Sequence, residues 1–190
     1  MVVDEAVAAA IRGQSYVQVS AFVASCAERM VQIFTGLCGG DPTRSSDVDF
    51  AVHAAGDLWE SGIPSASFRS HVETLEGFQE LKPSDEDIVE VSEIYAFYAV
   101  LALRYASLYR SSSDSEDALK CAHACLSAMG QLDQNLPGAK FFAQEAESQL
   151  HALSAPPLEN LNSGNLSQLR ERDRAVGRER LAAIQSRLAS

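Results

Sequence analysis

Apolar side chains recur along most of the chain at intervals of three and four residues, the spacing that lines one face of an α-helix. The longest such series lies between residues 19 and 37 and comprises Val19, Phe22, Val23, Cys26, Met30, Ile33, Phe34 and Leu37. We find no competing signal for strands, which would require alternation of apolar and polar positions. The pattern therefore predicts an all-α fold.

Glycine and proline divide this pattern into about seven helices. Proline cannot continue the helical hydrogen-bond ladder, and glycine accepts the left-handed backbone at a helix end. The separators are Gly39-Gly40-Asp41-Pro42, Gly62-Ile63-Pro64 and Leu136-Pro137-Gly138. Because the connections are short, we expect neighbouring helices to pack antiparallel in a bundle.

The segment 84–110 is predicted to form the central helix of this bundle. Its stretch from Ile94 to Leu103 is apolar on every side, which is typical of a buried helix. Acidic residues at 85–87 and arginines at 104 and 110 match the charge preferences of the two helix ends.

A segment rich in proline and asparagine separates the C-terminal part of the chain from the rest. We divide the chain into an acidic helical domain at 1–155, a linker at 156–165 and a charged, arginine-rich helix at 166–190. The best apolar stripe of that last helix is Gly177, Leu181, Ile184 and Leu188. This short stripe predicts docking by the last turns only.

Charge is unevenly divided between these parts. Residues 1–155 carry 22 acids against 9 Lys and Arg, whereas residues 156–190 carry 4 acids against 6, within a net charge of −11. An acidic domain repels phosphate backbones and favours basic protein partners, but a solvated acidic surface also keeps a protein soluble, and this second interpretation is favoured. We therefore expect no nucleic-acid binding.

The acidic start of the chain lacks signal-peptide character and no apolar run reaches the length of a membrane span, so we expect a cytoplasmic protein without membrane contact.

A polar face on the third helix is the best enzymatic hint. His53, Asp57 and Glu60 stand at i, i+4 and i+7, so on one helix they form a cluster suited to metal binding or acid–base chemistry. A solvated polar face is the competing interpretation, and it is favoured because no HExxH or ExxH motif accompanies the cluster. His71, with Glu73 and Glu76, is a weaker candidate.

The four cysteines are predicted to be free thiols, as expected in a reducing compartment. Cys121 and Cys125 share a helix face and could offer two thiolates to a soft metal, but His123 points away from both. Packing of small buried thiols is favoured. The sequence thus predicts no metal site, no cofactor and no catalytic residue.

Three arginines form a stripe on the last helix, at Arg170, Arg174 and Arg178. Acids of the same helix are expected to neutralise this stripe. It nevertheless remains a possible binding surface for an acidic face of this chain or of a partner.

The series Cys26-Ala27-Glu28-Arg29-Met30, Gly40-Asp41-Pro42 and Asp57-Leu58-Trp59-Glu60 resembles the YjaG-like family of small helical bacterial proteins of unknown function. The resemblance extends from about Phe22 to Leu132. It implies an all-helical fold and supplies no catalytic residues. The chain departs from the family in lacking its tyrosine-rich approach to the central helix and in adding the tail after Pro156.

Together these observations favour a noncatalytic helical interaction module. Its acidic surface would bind a protein partner, with a basic protein as a candidate, or the module would associate with itself. The alternative is a metal-dependent or small-molecule enzyme centred on His53, Asp57 and Glu60, which requires partners from another helix.

Overall fold

The computed structural model describes residues 3–82, 90–154 and 163–189. Within these ranges the chain forms eight α-helices and two single-turn 3-10 helices, without a strand. The α-helices are α1 (Glu5–Gly13), α2 (Tyr16–Cys38), α3 (Ser45–Asp57), α4 (Ser65–Leu75), α5 (Val91–Ser112), α6 (Ser115–Asn135), α7 (Phe141–Ser154) and α8 (Ser163–Leu188). The 3-10 helices are Pro42–Arg44 and Gln79–Leu81. The all-α prediction is confirmed.

Short polar side chains start several of the helices. Asp4 accepts a hydrogen bond from the amide of Ala6, and Asp114 accepts one from the amide of Glu116. These bonds satisfy amides that have no partner within the helix. Among the described helices, none is long and apolar enough to cross a membrane.

Two helices occupy the centre of the bundle. α5 packs against α2, α4 and α6, which confirms the predicted central helix, although Phe97 keeps 36% of its surface exposed. Glu90 and Glu93 form a capping box that starts this helix at Val91. The predicted acidic first turn at 85–87 lies outside the described residues. α2 shares the central position because it also contacts α3, α6, α7 and α8.

α8 packs against α2 and the core over several of its turns, so the predicted docking by its last turns only is wrong. Leu166 and Leu169 near its start contact the core, and Ile184 near its end is fully buried. A Cβ on Gly177 would overlap the backbone carbonyl of Arg29, so the absence of a side chain lets the two helices approach. The predicted linker is outside the described residues except for 163–165, which already belong to α8.

Candidate functional site

Two histidines meet one aspartate where α3 ends beside α4. Nε2 of His71 lies 2.8 Å from Oδ2 of Asp57, and Nε2 of His53 lies 3.5 Å from the same oxygen. One ligand atom from each of the three residues lies within 4.8 Å of the other two. We call His53, Asp57 and His71 the histidine–aspartate site.

This site is buried on one side and open on the other. The His71 side chain is 9% exposed, and its ring packs edge-on against Phe50 and Phe68 at centroid distances of 5.5 and 5.8 Å. The His53 side chain is 68% exposed. The aromatic contacts hold one imidazole in place, while solvent reaches the other.

Glu60 does not join the site that the sequence predicted. α3 ends at Asp57, and the backbone of Glu60 instead closes a turn onto the carbonyl of Asp57. The helical i+7 spacing therefore does not apply to this residue. The Glu60 carbonyl accepts a hydrogen bond from Nη2 of Arg110. His71 supplies the third group, and its position on a different helix explains why periodicity could not pair it with Asp57.

The arrangement has the composition of a transition-metal site. Imidazole nitrogens and a carboxylate oxygen are common ligands of Zn²⁺ and of other first-row divalent ions. Tetrahedral ligands held at about 2.0–2.2 Å from Zn²⁺ lie roughly 3.3–3.6 Å apart. The observed separation of 3.5 Å lies within that range, and the hydrogen-bonded separation of 2.8 Å is shorter, so the His71 nitrogen and the Asp57 oxygen would move apart to place the ligands around an ion.

A second group of potential ligands lies in the core, between α2 and α6. Cys26 of α2 meets Cys121 and Cys125 of α6, and their sulfurs lie within 4.8 Å of one another. All three are fully buried free thiols. The sequence paired Cys121 with Cys125 correctly but could not add Cys26, which comes from another helix. His123 is not a member of this group.

A buried group of charges adjoins the thiols and connects α2, α7 and α8. Arg29 binds Glu145 through Nε at 3.1 Å and Nη2 at 2.9 Å, and it binds Asp173 through Nη1 at 2.8 Å. Arg180 approaches the same Glu145 carboxylate at 2.7 Å. These four side chains are between 0 and 7% exposed. We call them the buried charge network.

Opposing effects act on the two acids of this network. Burial by itself would raise the pKa of Glu145, but the guanidiniums of Arg29 and Arg180 outweigh it and lower that pKa to about 2. At Asp173, burial dominates the opposing effect of Arg29 and raises the pKa above its ordinary value.

The arginine stripe of the last helix is largely engaged within the molecule. Nε of Arg170 and Nε of Arg174 bind the buried carboxylate of Glu28 at 2.9 and 2.7 Å. Arg178 pairs with Glu171 of its own helix at 2.6 Å. The expected neutralisation by an acid of α8 therefore applies to Arg178 and in part to Arg174, which also lies 3.8 Å from Glu171, whereas the bonds of Arg170 and Arg174 to Glu28 connect α8 to α2.

Comparison with known proteins identified no relative of this chain. No family model, no curated protein and no solved structure matches the chain.

Proposed function

We propose that this chain is a metal-binding protein that holds a divalent first-row transition-metal ion at the histidine–aspartate site. The observation that carries the proposal is the convergence of His53 and His71 on the Asp57 carboxylate from two different helices. Zn²⁺ represents the class, because it accepts two imidazoles and one carboxylate in a flexible tetrahedral arrangement.

The exposure of the site supports an open coordination sphere. Three protein ligands would leave at least one position for solvent, and we infer that this position would lie at the surface because the His53 side chain is 68% exposed. Structural zinc sites are usually closed by four protein ligands, whereas three ligands with an open position are typical of catalytic zinc. A bound ion in this setting would polarise a water molecule or a substrate oxygen.

A purely structural role is the main alternative. In that case the hydrogen bond between His71 and Asp57 simply ties α4 to the end of α3. His53 distinguishes the two roles, because its exposed side chain contributes little to packing but supplies a ligand to an ion.

The test is a titration of metal-free full-length protein with Zn²⁺ by calorimetry and with Co²⁺ by visible spectroscopy. We expect one equivalent bound through nitrogen and oxygen ligands, which the Co²⁺ spectrum distinguishes from thiolate ligands. His53→Ala and Asp57→Asn should each abolish this binding. His151→Ala is the matched control, because His151 is exposed on α7 and lies outside the site.

Two results would contradict the proposal. Unchanged binding in His53→Ala would place the ion elsewhere, and absence of binding by wild-type protein would leave the structural role. Helical circular dichroism of each variant checks that the fold is retained.

The protein-interaction function predicted from the acidic charge is a separate proposal. Since Arg170 and Arg174 are bound to Glu28, a partner would meet the acidic surface rather than this stripe. A stoichiometric protein captured equally by wild type and by His53→Ala would support that function independently of the metal site.

A further inference from the structure

The three buried thiols of Cys26, Cys121 and Cys125 lie together in the core. Their sulfurs come from two helices and lie within 4.8 Å of one another. Cys121 and Cys125 face the same side of α6 because they are four residues apart. Cys26 approaches them from α2, the helix that also carries Arg29.

We propose that these three cysteines form a binding site for a soft metal ion, with Cu(I) as its occupant. Thiolates are soft ligands that select Cu(I) and other thiophilic ions over hard cations. Binding involves no change of oxidation state: the ion coordinates the sulfurs, and the displaced thiol protons pass to solvent. The site is distinct from the histidine–aspartate site in both position and ligand type.

The number of ligands favours Cu(I) over Zn²⁺. A structural Zn²⁺ site is almost always tetrahedral with four protein ligands. Within the described part of the chain, no fourth histidine, cysteine or carboxylate ligand joins the three sulfurs. A planar three-coordinate ion needs only three donors, and sulfurs about 2.3 Å from such an ion would lie roughly 4 Å apart. Sulfurs that all lie within 4.8 Å of one another are compatible with this spacing.

Arg29 brings a positive charge next to the sulfurs. Its Nη2 lies 3.5 Å from the sulfur of Cys26, and its side chain is fully buried. Three thiolates and one Cu(I) carry a net charge of about −2, which is costly in an apolar interior. The guanidinium of Arg29 offsets part of that cost; it is shared with Glu145 and Asp173, and the Glu145 carboxylate acts on the sulfurs in the opposite direction. Cys38, by contrast, lies outside the group at the end of α2, beside Gly39.

The alternative is that the three thiols only pack as apolar side chains of the core. Free cysteine is among the most frequently buried residue types and packs as a small apolar side chain. Space filling does not require three sulfurs to converge, but it permits that arrangement. Metal retention against a strong competitor separates the two roles, because packing alone gives no affinity for Cu(I).

The test uses reduced full-length protein under anaerobic conditions. Cu(I) is supplied both by direct titration and during refolding from urea, since the sulfurs are shielded from solvent in the folded chain. A chromophoric Cu(I) chelator then competes for the ion. We expect one retained equivalent in wild type and in Cys38→Ala, and loss of that equivalent in Cys26→Ala and in Cys121→Ala/Cys125→Ala.

X-ray absorption at the copper edge of loaded wild-type protein provides a measurement that does not depend on how the variants fold. A shell of three sulfurs supports the site. A nitrogen and oxygen shell, complete loss of copper to the chelator after both loading routes, or retention by folded Cys26→Ala would overturn it. His53→Ala should retain its Cu(I), so failure of the proposed function and failure of this inference give different results.

Discussion

Arg29 and Glu145 form a two-point ion pair in which neither side chain has any exposed surface. Nε and Nη2 of Arg29 lie 3.1 and 2.9 Å from the two carboxylate oxygens of Glu145, which joins α2 to α7. Removing one partner of a buried ion pair leaves an uncompensated charge in the interior. Loss of either partner should therefore destabilise the packing of α2 against α7.

Arg29→Ala should lower the free energy of unfolding by about 3–5 kcal/mol, because it leaves the carboxylates of Glu145 and Asp173 without this guanidinium. Urea unfolding followed by circular dichroism measures the change. Arg12→Ala is the control: Arg12 pairs with Glu116 at the surface, so its loss should cost about 0–1 kcal/mol. Equal effects of the two substitutions would contradict the importance of the buried pair.

Acid should destabilise the protein through Glu145. Although burial opposes the shift, Arg29 and Arg180 lower the folded-state pKa of Glu145 to about 2, below its ordinary value of 4.5. A depressed pKa adds stability that is fully present above pH 4.5 and is lost as the pH falls from there towards 2. The contribution amounts to about 3 kcal/mol.

Unfolding curves recorded across this pH range test that expectation. Glu145→Gln should flatten the pH dependence of the unfolding free energy, whereas Glu147→Gln, at an exposed position on the same helix, should leave it unchanged. Asp173 acts with the opposite sign because burial raises its pKa in spite of Arg29. An unchanged slope in Glu145→Gln would show that other groups set the acid response.

A single methyl group added at Gly177 should disturb the close contact between α8 and α2. A Cβ at Gly177 would overlap the Arg29 carbonyl and would lie 2.7 and 2.8 Å from side-chain carbons of Gln32. We expect Gly177→Ala to lower the free energy of unfolding by about 1–3 kcal/mol through overpacking. Gly13→Ala, where no atom lies within 4 Å, should be neutral or slightly stabilising. Thermal unfolding of both variants provides the comparison.

Removal of α8 should prevent stable folding of the remaining chain. Truncation after Ser154 takes away Arg170 and Arg174, leaving the buried carboxylate of Glu28 without these partners, and it uncovers the α2 face that α8 packs against. Domains are stable by only about 5–15 kcal/mol, so this loss exceeds what the fold can tolerate. Size-exclusion chromatography and urea unfolding should show an aggregated or non-cooperative product.

A truncation after Leu188 is the control for this experiment, because it leaves α8 intact. A shortened chain ending at Ser154 that unfolds cooperatively, with the wild-type midpoint, would contradict this expectation and support the predicted division into a helical domain at 1–155 and a separate C-terminal helix.

The sequence by itself determined the secondary structure of this protein. Helical periodicity and capping are local properties, since they depend on residues within one or two turns of each other. For that reason the all-α class, the helix that begins after Asp114 and the central α5 could be predicted from the order of residues. The stripe from Val19 to Leu37 likewise identified α2, although not its place at the centre.

Only the tertiary structure decided which side chains meet. His71 joins Asp57, and Cys26 joins Cys121 and Cys125, because helices distant in the chain pack side by side. Charge counts could not distinguish solvated arginines from those bound to the buried Glu28 carboxylate, since composition carries no information on which charges meet. Periodicity assigns a residue to a face of its own helix, but the partner across that face depends on how all the helices pack together.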